Sequence, residues 1–201
     1  MHEKRIVRSL CVFVLVAVFA STAAEAQMRH HDISLSYGLV TLDQAADIVE
    51  STLTAVLTLG TFDKEHLNFS GAPFLTYHYS ANGRFGFGFA VGGYSTTGDL
   101  TSSLDGTGTF KETNYVGALE FDYRWILKKS FQMYSGAGAG VRIRKGTYTI
   151  EGEAEPLHMT KALPTFHLNL LGFRFGRAVG IFGEIGAGYK GIFNVGLNAQ
   201  F

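Results

Sequence analysis

The sequence predicts an all-β chain: an eight-stranded antiparallel up-and-down transmembrane barrel, with one amphipathic helix in the first outer loop. Three observations carry this. Large apolar side chains alternate with small or polar ones over most of the chain beyond residue 30, which is the period of a strand and not of a helix. Glycine (25 residues) and phenylalanine (17) are both in excess, and they fall on opposite faces of that alternation. Past the first 26 residues no apolar run reaches the roughly 18 residues of a helical membrane span, so the 46% hydrophobic content is not spent on helices.

The first 26 residues stand apart. Lys4, Arg5 and Arg8 precede the apolar run Leu10 to Ala20, and Ala24-Glu25-Ala26 supplies small residues at a cleavage spacing. We read 1–26 as a secretory signal peptide and 27–201 as one barrel domain. Removing the peptide takes away the single cysteine, Cys11, and leaves 14 bases against 15 acids. The exported domain then has no disulfide to hold it.

The strands follow in order. Ile33, Leu35, Tyr37 and Leu39 oppose Asp32, Ser34, Ser36 and Gly38. Leu67, Phe69, Leu75, Tyr77 and Tyr79 share the apolar face of the next strand, read as continuous from 67 to 80. Phe85, Phe87, Phe89 and Val91 oppose four small residues, and Tyr115 through Trp125 oppose every charge of their own segment. Phe131, Met133, Val141 and Ile143 face away from Arg142 and Arg144. In 165–176 the phase changes between Leu168/Leu170 and Phe173/Phe175, as a β-bulge causes. Ile181, Ile185 and Tyr189 form the next apolar set, and Phe193, Val195, Leu197 and Phe201 the last. The joins alternate: long at 40–66, 97–107 and 149–162, short at 81–83, 127–130 and 176–178, with a compact one around Lys190-Gly191.

Volume decides which face looks out. The seven well-phased strands carry 29 bulky apolar side chains on their apolar faces. An eight-stranded interior is just wide enough to be filled by side chains, so small residues and a few charges fit there and the large rings do not. The rings are expected outside, in two girdles: Tyr79, Phe85, Tyr123, Trp125, Phe131 and Phe201 at the short-turn rim, and Tyr37, Phe69, Tyr115, Tyr148, Tyr189 and Phe193 at the other.

With that phasing Glu112, Glu120, Asp122, Arg124, Arg142, Arg144 and Glu184 point inward as a lumen charge network. A hairpin closed at 127–130 pairs Glu112 with Arg144 and Asn114 with Arg142. Residues 41–60 change period: Thr41-Leu42-Asp43-Gln44 is a capping box, Leu42, Ala46, Val49, Leu53 and Val56 make an apolar stripe, and Gly60 ends it.

The last strand, Val195-Gly196-Leu197-Asn198-Ala199-Gln200-Phe201, places apolar groups at alternate positions and ends on Phe. With the rest of the chain beyond residue 26, it resembles the small eight-stranded outer-membrane barrels of Gram-negative bacteria, the OmpX/OmpA-like group. The resemblance implies a cell outer-membrane location, contact with outer-membrane lipid, and an assembly signal at Val195, Leu197 and Phe201 read by the barrel-assembly machinery. Ala199 departs from the aromatic usual at that step.

Net charge is zero, with the bases scattered, which excludes a general nucleic-acid binder. The role expected is non-enzymatic: structural, or surface interaction with a protein partner through the outer loops and the 41–60 helix. A narrow channel or signalling barrel using the inward charges is one alternative, and a lipid-modifying enzyme another. For the enzyme, His66 and His158 sit by the outer loops without a serine at a telling spacing, His78 points into the lumen near the inner rim, and His30 and His31 read as leader. No catalytic, cofactor or metal residues are assigned. The runs Gly136 to Gly140 and Gly186 to Gly188 lie inside strands with no helix after them, so they read as lumen packing and not phosphate loops.

Overall fold

The computed structural model describes residues 30–42, 44–45, 62–102, 106–150 and 155–201. The expected signal peptide, and Ala46, Val49, Leu53 and Val56 of the loop stripe, lie outside these residues. Nine strands form: β1 (His31–Leu39), β2 (Phe62–Phe69), β3 (Ala72–Ser80), β4 (Phe85–Ser102), β5 (Gly106–Leu127), β6 (Phe131–Ile150), β7 (Leu157–Gly176), β8 (Val179–Gly188) and β9 (Phe193–Gln200). Eight of them close an antiparallel ring in the order β4-β3-β1-β9-β8-β7-β6-β5, and β2 pairs with the upper half of β4.

The ring has a measurable slant. Registered partners run from Gly188 through His167, Gly138, Glu120, Gly88, His78, Asp32 and Gln200. The path returns to β8 at Ala178, ten residues below its start, where the Gln200 N–H donates to the Ala178 carbonyl. Ten residues of stagger over eight strands sets a strand tilt of about 40° and a backbone diameter of about 16 Å. Three tight turns and the start of β1 share one rim with the end of β9; the longer connections start and end at the other.

Alternation dictates the faces as expected. Leu119, Trp125, Leu35, Val195 and Ile181 are all more than half exposed on the outside, while Glu120, Asp122, Arg124 and Arg142 are buried within. The bulge expected in 165–176 is present, with register shifts beside Leu170 on both sides of β7.

Four expectations need correction. The strand read as continuous from 67 to 80 is broken at Ser70-Gly71: its register against β4 slips by one residue, which turns Leu67 and Phe69 to the inward face, where Leu67 meets Phe110 at Gly98. The Tyr37 ring lies against Gly71 and its hydroxyl accepts the Gly71 N–H, filling the break. The loops read at 97–107 and 149–162 are mostly strand; β4 to β7 run 18 to 22 residues, twice the length of β1, β8 and β9. The β5–β6 register is two residues off the one expected, pairing Glu112 with Gly146 and Asn114 with Arg144, because the turn is three residues long and a bulge follows at Trp125. Finally, His30 and His31 are not leader: His31 opens β1, and its ring stacks on Phe201 at 5.5 Å.

At the top of β1 the capping box forms. The Thr41 N–H donates to Gln44 Oε1 (2.9 Å), the Gln44 N–H to Thr41 Oγ1 (3.3 Å), and the Ala45 N–H to the Thr41 carbonyl (2.9 Å). Val40 precedes it with φ of 54°, a left-handed conformation costly for a β-branched residue. The Ile192 N–H holds it there by donating to the carbonyls of both Leu39 and Val40.

Candidate functional site

Among the described residues charged side chains converge in the lumen, which is built in three layers. At the lower rim Asp32 accepts from Asn198 Nδ2 (3.0 Å) and Gln200 Nε2 (2.8 Å); Gln200 also bonds Gln132, and Asn198 accepts Arg174 Nε (2.8 Å). Arg174 is fully buried, and its other nitrogens donate to the carbonyls of Gly176 and Arg177, so it ties the last turn to the lumen floor. Arg124 donates to the Gly83 carbonyl and lies between Asp122 (3.4 Å) and Asp32 (3.9 Å).

The middle layer centres on Glu120. It accepts Lys190 Nζ (2.7 Å), the Tyr189 hydroxyl (2.7 Å) and His78 Nε2 (3.2 Å). His78 Nδ1 faces Asp122 at 2.8 Å, so both ring nitrogens meet carboxylates, the environment of a doubly protonated imidazole. Glu184 accepts from Tyr134 (2.9 Å) and Asn194 (2.7 Å). The four carboxylates Asp32, Glu120, Asp122 and Glu184 share this space with Lys190, Arg124, Arg174 and the His78 ring.

Above lies an apolar seal of Ala72, Phe74, Ala90, Tyr94, Val116, Ala118 and Tyr189. Above that Arg142 donates to Tyr94 (3.2 Å), and Glu112 binds Arg144 (3.3 Å) and the Tyr148 hydroxyl (2.8 Å). Two cavities in the lumen are small: about 40 Å³ among Asp32, His78, Arg124 and Arg174, and about 20 Å³ beside His167 and Asn169. Each has room for about one to three waters. The imidazole nitrogens of His167 bond no protein atom and line the smaller one.

All seven charges expected in the lumen lie inward, at two levels. Glu120, Asp122, Arg124 and Glu184 belong to the two lower layers, whereas Glu112, Arg142 and Arg144 lie across the seal. Besides Phe69, two more girdle residues are misassigned: Tyr189 is buried on Glu120, and Tyr148 turns inward to Glu112 beside Phe110. Tyr189 and Lys190 enter the lumen because the β8–β9 turn folds inward, with Gly188 (φ 144°) and Gly191 (φ 98°) in backbone conformations closed to other residues. The same inward fold lays the Lys190 carbonyl on Gly38, where a Cβ would collide. Arg174 could have been found by carrying the bulge through to the face opposite Phe173 and Phe175. Lys190 lies in a turn, where alternation has nothing to say.

Val195, Leu197 and Phe201 all face outward on the closing strand, with Val195 and Leu197 registered against Tyr37 and Leu35 of β1. Among the described residues no group of three His, Cys, Asp or Glu side chains could hold a metal ion. No family model matches the chain, and no curated protein matches it in sequence.

Proposed function

We propose that this chain is an integral outer-membrane barrel with a structural and surface-interaction role, not an enzyme. One observation carries the membrane reading: the apolar outer belt ends along shared register rows. Gly93, Tyr115, Ile143 and Ala162 are cross-strand partners in one row, and the next outward row, Ser95, Thr113, Lys145 and Thr160, is polar throughout. So is the row beyond, Thr97, Lys111, Thr147 and His158. From Tyr115 down to Trp125 the belt is about 25 Å tall at this tilt, the height of a lipid-facing band. Thirty-two large apolar side chains are exposed among the described residues, far more than a water-facing surface carries. Contacts with lipid and, during assembly, with the barrel-insertion machinery at Val195, Leu197 and Phe201 follow from this reading.

The surface role rests on what stands above the belt. β2, the upper halves of β4, β5 and β6, and residues 157–166 of β7 rise as a five-stranded sheet whose outer edges, β2 and upper β7, have no further strand partner among the described residues. An open edge is a template for a partner's strand, and the Thr41–Gln44 cap stands beside it, Gln44 Nε2 donating to the Ser70 carbonyl at the end of β2 (3.0 Å). The packed lumen supports a closed barrel, so the wild-type chain is expected to be silent in planar bilayers. The deciding experiment is refolding in detergent: the unheated barrel runs faster on a gel than the boiled chain. A chain that stays monodisperse in buffer without detergent sinks the membrane reading.

A further inference from the structure

Charge is distributed along the barrel axis in a way the lumen does not explain. Each tight turn of the lower rim carries an exposed base: Arg84 between β3 and β4, Lys128 and Lys129 between β5 and β6, Arg177 between β7 and β8. Among the described residues no Asp or Glu is exposed at this rim; the nearest, Asp32, is turned into the lumen onto Asn198 and Gln200. At the opposite end, the described residues 62–71, 94–102, 106–111, 145–150 and 155–161 contain four acids (Asp63, Glu65, Asp99, Glu155) and four lysines (Lys64, Lys111, Lys145, Lys161), a balance the lower rim lacks.

The basic turns are rigidly presented. Asn82 Oδ1 accepts the N–H groups of Arg84 and Phe85, and Arg84 Nη1 donates to the Trp125 carbonyl (3.3 Å). The Lys128 N–H closes its turn on the Phe131 carbonyl, and the Gly176 N–H reaches the Ser130 carbonyl of the neighbouring turn. Arg174 braces Arg177 from inside. Directly above them lies the lower girdle of Trp125, Phe85, Tyr123, Phe131, Phe175 and Phe201. Aromatic rings with Lys and Arg just beyond them mark the depth of lipid headgroups.

We propose that this rim is a collar for the phosphates of anionic phospholipids in the inner leaflet, which rests on the membrane reading above. The ring order puts Arg84 and Arg177 on opposite sides of the barrel, with Lys128 and Lys129 midway between them. Charges facing outward across about 16 Å are out of reach of one compact anion. A shell of separate lipids meets each of them. The far end has no surplus of bases among the described residues, so the collar also biases which end takes the anionic leaflet.

Trp125 is the only tryptophan and sits beside Arg84, so the chain carries its own probe. The full chain is refolded into phosphatidylcholine vesicles containing either brominated phosphatidylcholine or brominated phosphatidylglycerol, and quenching of Trp125 is compared. We expect the anionic lipid to be preferred roughly threefold at low salt, with the preference falling at high salt. The triple variant Arg84→Gln/Lys128→Gln/Lys129→Gln, and in part Lys128→Gln/Lys129→Gln alone, abolishes it while heat-modifiable migration is kept. Arg177→Gln, on the far side, leaves it unchanged. Equal quenching by the two lipids overturns the collar and leaves the membrane reading standing; no quenching by either overturns the membrane reading itself. Equal quenching together with base-dependent co-sedimentation on isolated cell wall assigns the rim to a wall polyanion instead.

Discussion

The lower ring and the upper sheet are made of the same strands, but they are held together differently. Below the level of Leu39, Gly93, Val116 and Gly188 each strand has two partners, and the space between them is filled by buried groups that bond one another across the ring. Glu120 alone joins β5 to β3 through His78 and to the β8–β9 turn through Tyr189 and Lys190. Above that level β4 to β7 continue with β2 beside them, the pairing on β7 lapses, and residues 157–162 are exposed on both faces. Closure removes edges and allows charges to be buried in balanced sets. An open sheet of the same strands must rely on its ladder and on pairs with one partly exposed member, such as Arg144 with the buried Glu112.

The largest expected effect tests this contrast directly. Glu120→Ala leaves Lys190 buried with its nearest carboxylate gone, and removing one partner of a buried pair costs about 3–5 kcal/mol. The corresponding change above the seal, Glu112→Ala, removes one tyrosine bond and a pair whose arginine is 29% exposed. That loss is about 1–2 kcal/mol. Urea unfolding of both variants in vesicles, followed by Trp125 fluorescence, should show Glu120→Ala shifted much further. Equal shifts would mean that the two halves are stabilised alike.

A smaller loss is expected at the turn that feeds the middle layer. Gly188→Ala puts a Cβ against the Phe166 carbonyl in a backbone conformation alanine avoids, at a cost of about 1–3 kcal/mol. Because Tyr189 and Lys190 follow at once, the variant should also increase protease cleavage after Lys190. An unchanged midpoint with unchanged protection would show that the turn reaches the lumen without help from glycine.

The same contrast governs what was legible in the chain. Where one face meets the belt and the other the lumen, as from Phe85 to Val91 or Tyr115 to Trp125, alternation alone assigns strand, face and burial. It even locates the bulge near Leu170. Above the belt the strands are lined with Thr, Gly and Lys, so residues 97–102 and 106–107 carry no apolar period and read as loop although they are strand. The lumen charges on strands were legible for the same reason of parity. Their partners were not: Lys190 and Tyr189 arrive through a glycine turn, and the Glu112 register depended on a three-residue turn with a bulge after it. The Ser70-Gly71 break leaves no mark in the alternation, whose odd-numbered apolar positions run straight through it, yet one slipped residue is enough to turn Leu67 and Phe69 inward.

The smallest effect is expected from cutting the upper sheet. Thr97 and Lys111 are registered partners on β4 and β5, so residues 98–110 can be replaced by Asn-Gly, a two-residue turn suited to such a pair. The excision removes Phe110, which stacks on Tyr148 at 6.4 Å, and strips β2 of most of its partner. It touches nothing below the apolar seal. If the ring is stabilised by its own closure and its own lumen, the shortened chain keeps heat-modifiable migration, and its urea midpoint stays within about 0.5 kcal/mol of the full chain. Surface binding carried by the β2 edge should vanish at the same time. A large fall in ring stability would instead make the protruding sheet part of the folding unit, and Glu112 and Glu120 would then have to be treated as one coupled network across the seal.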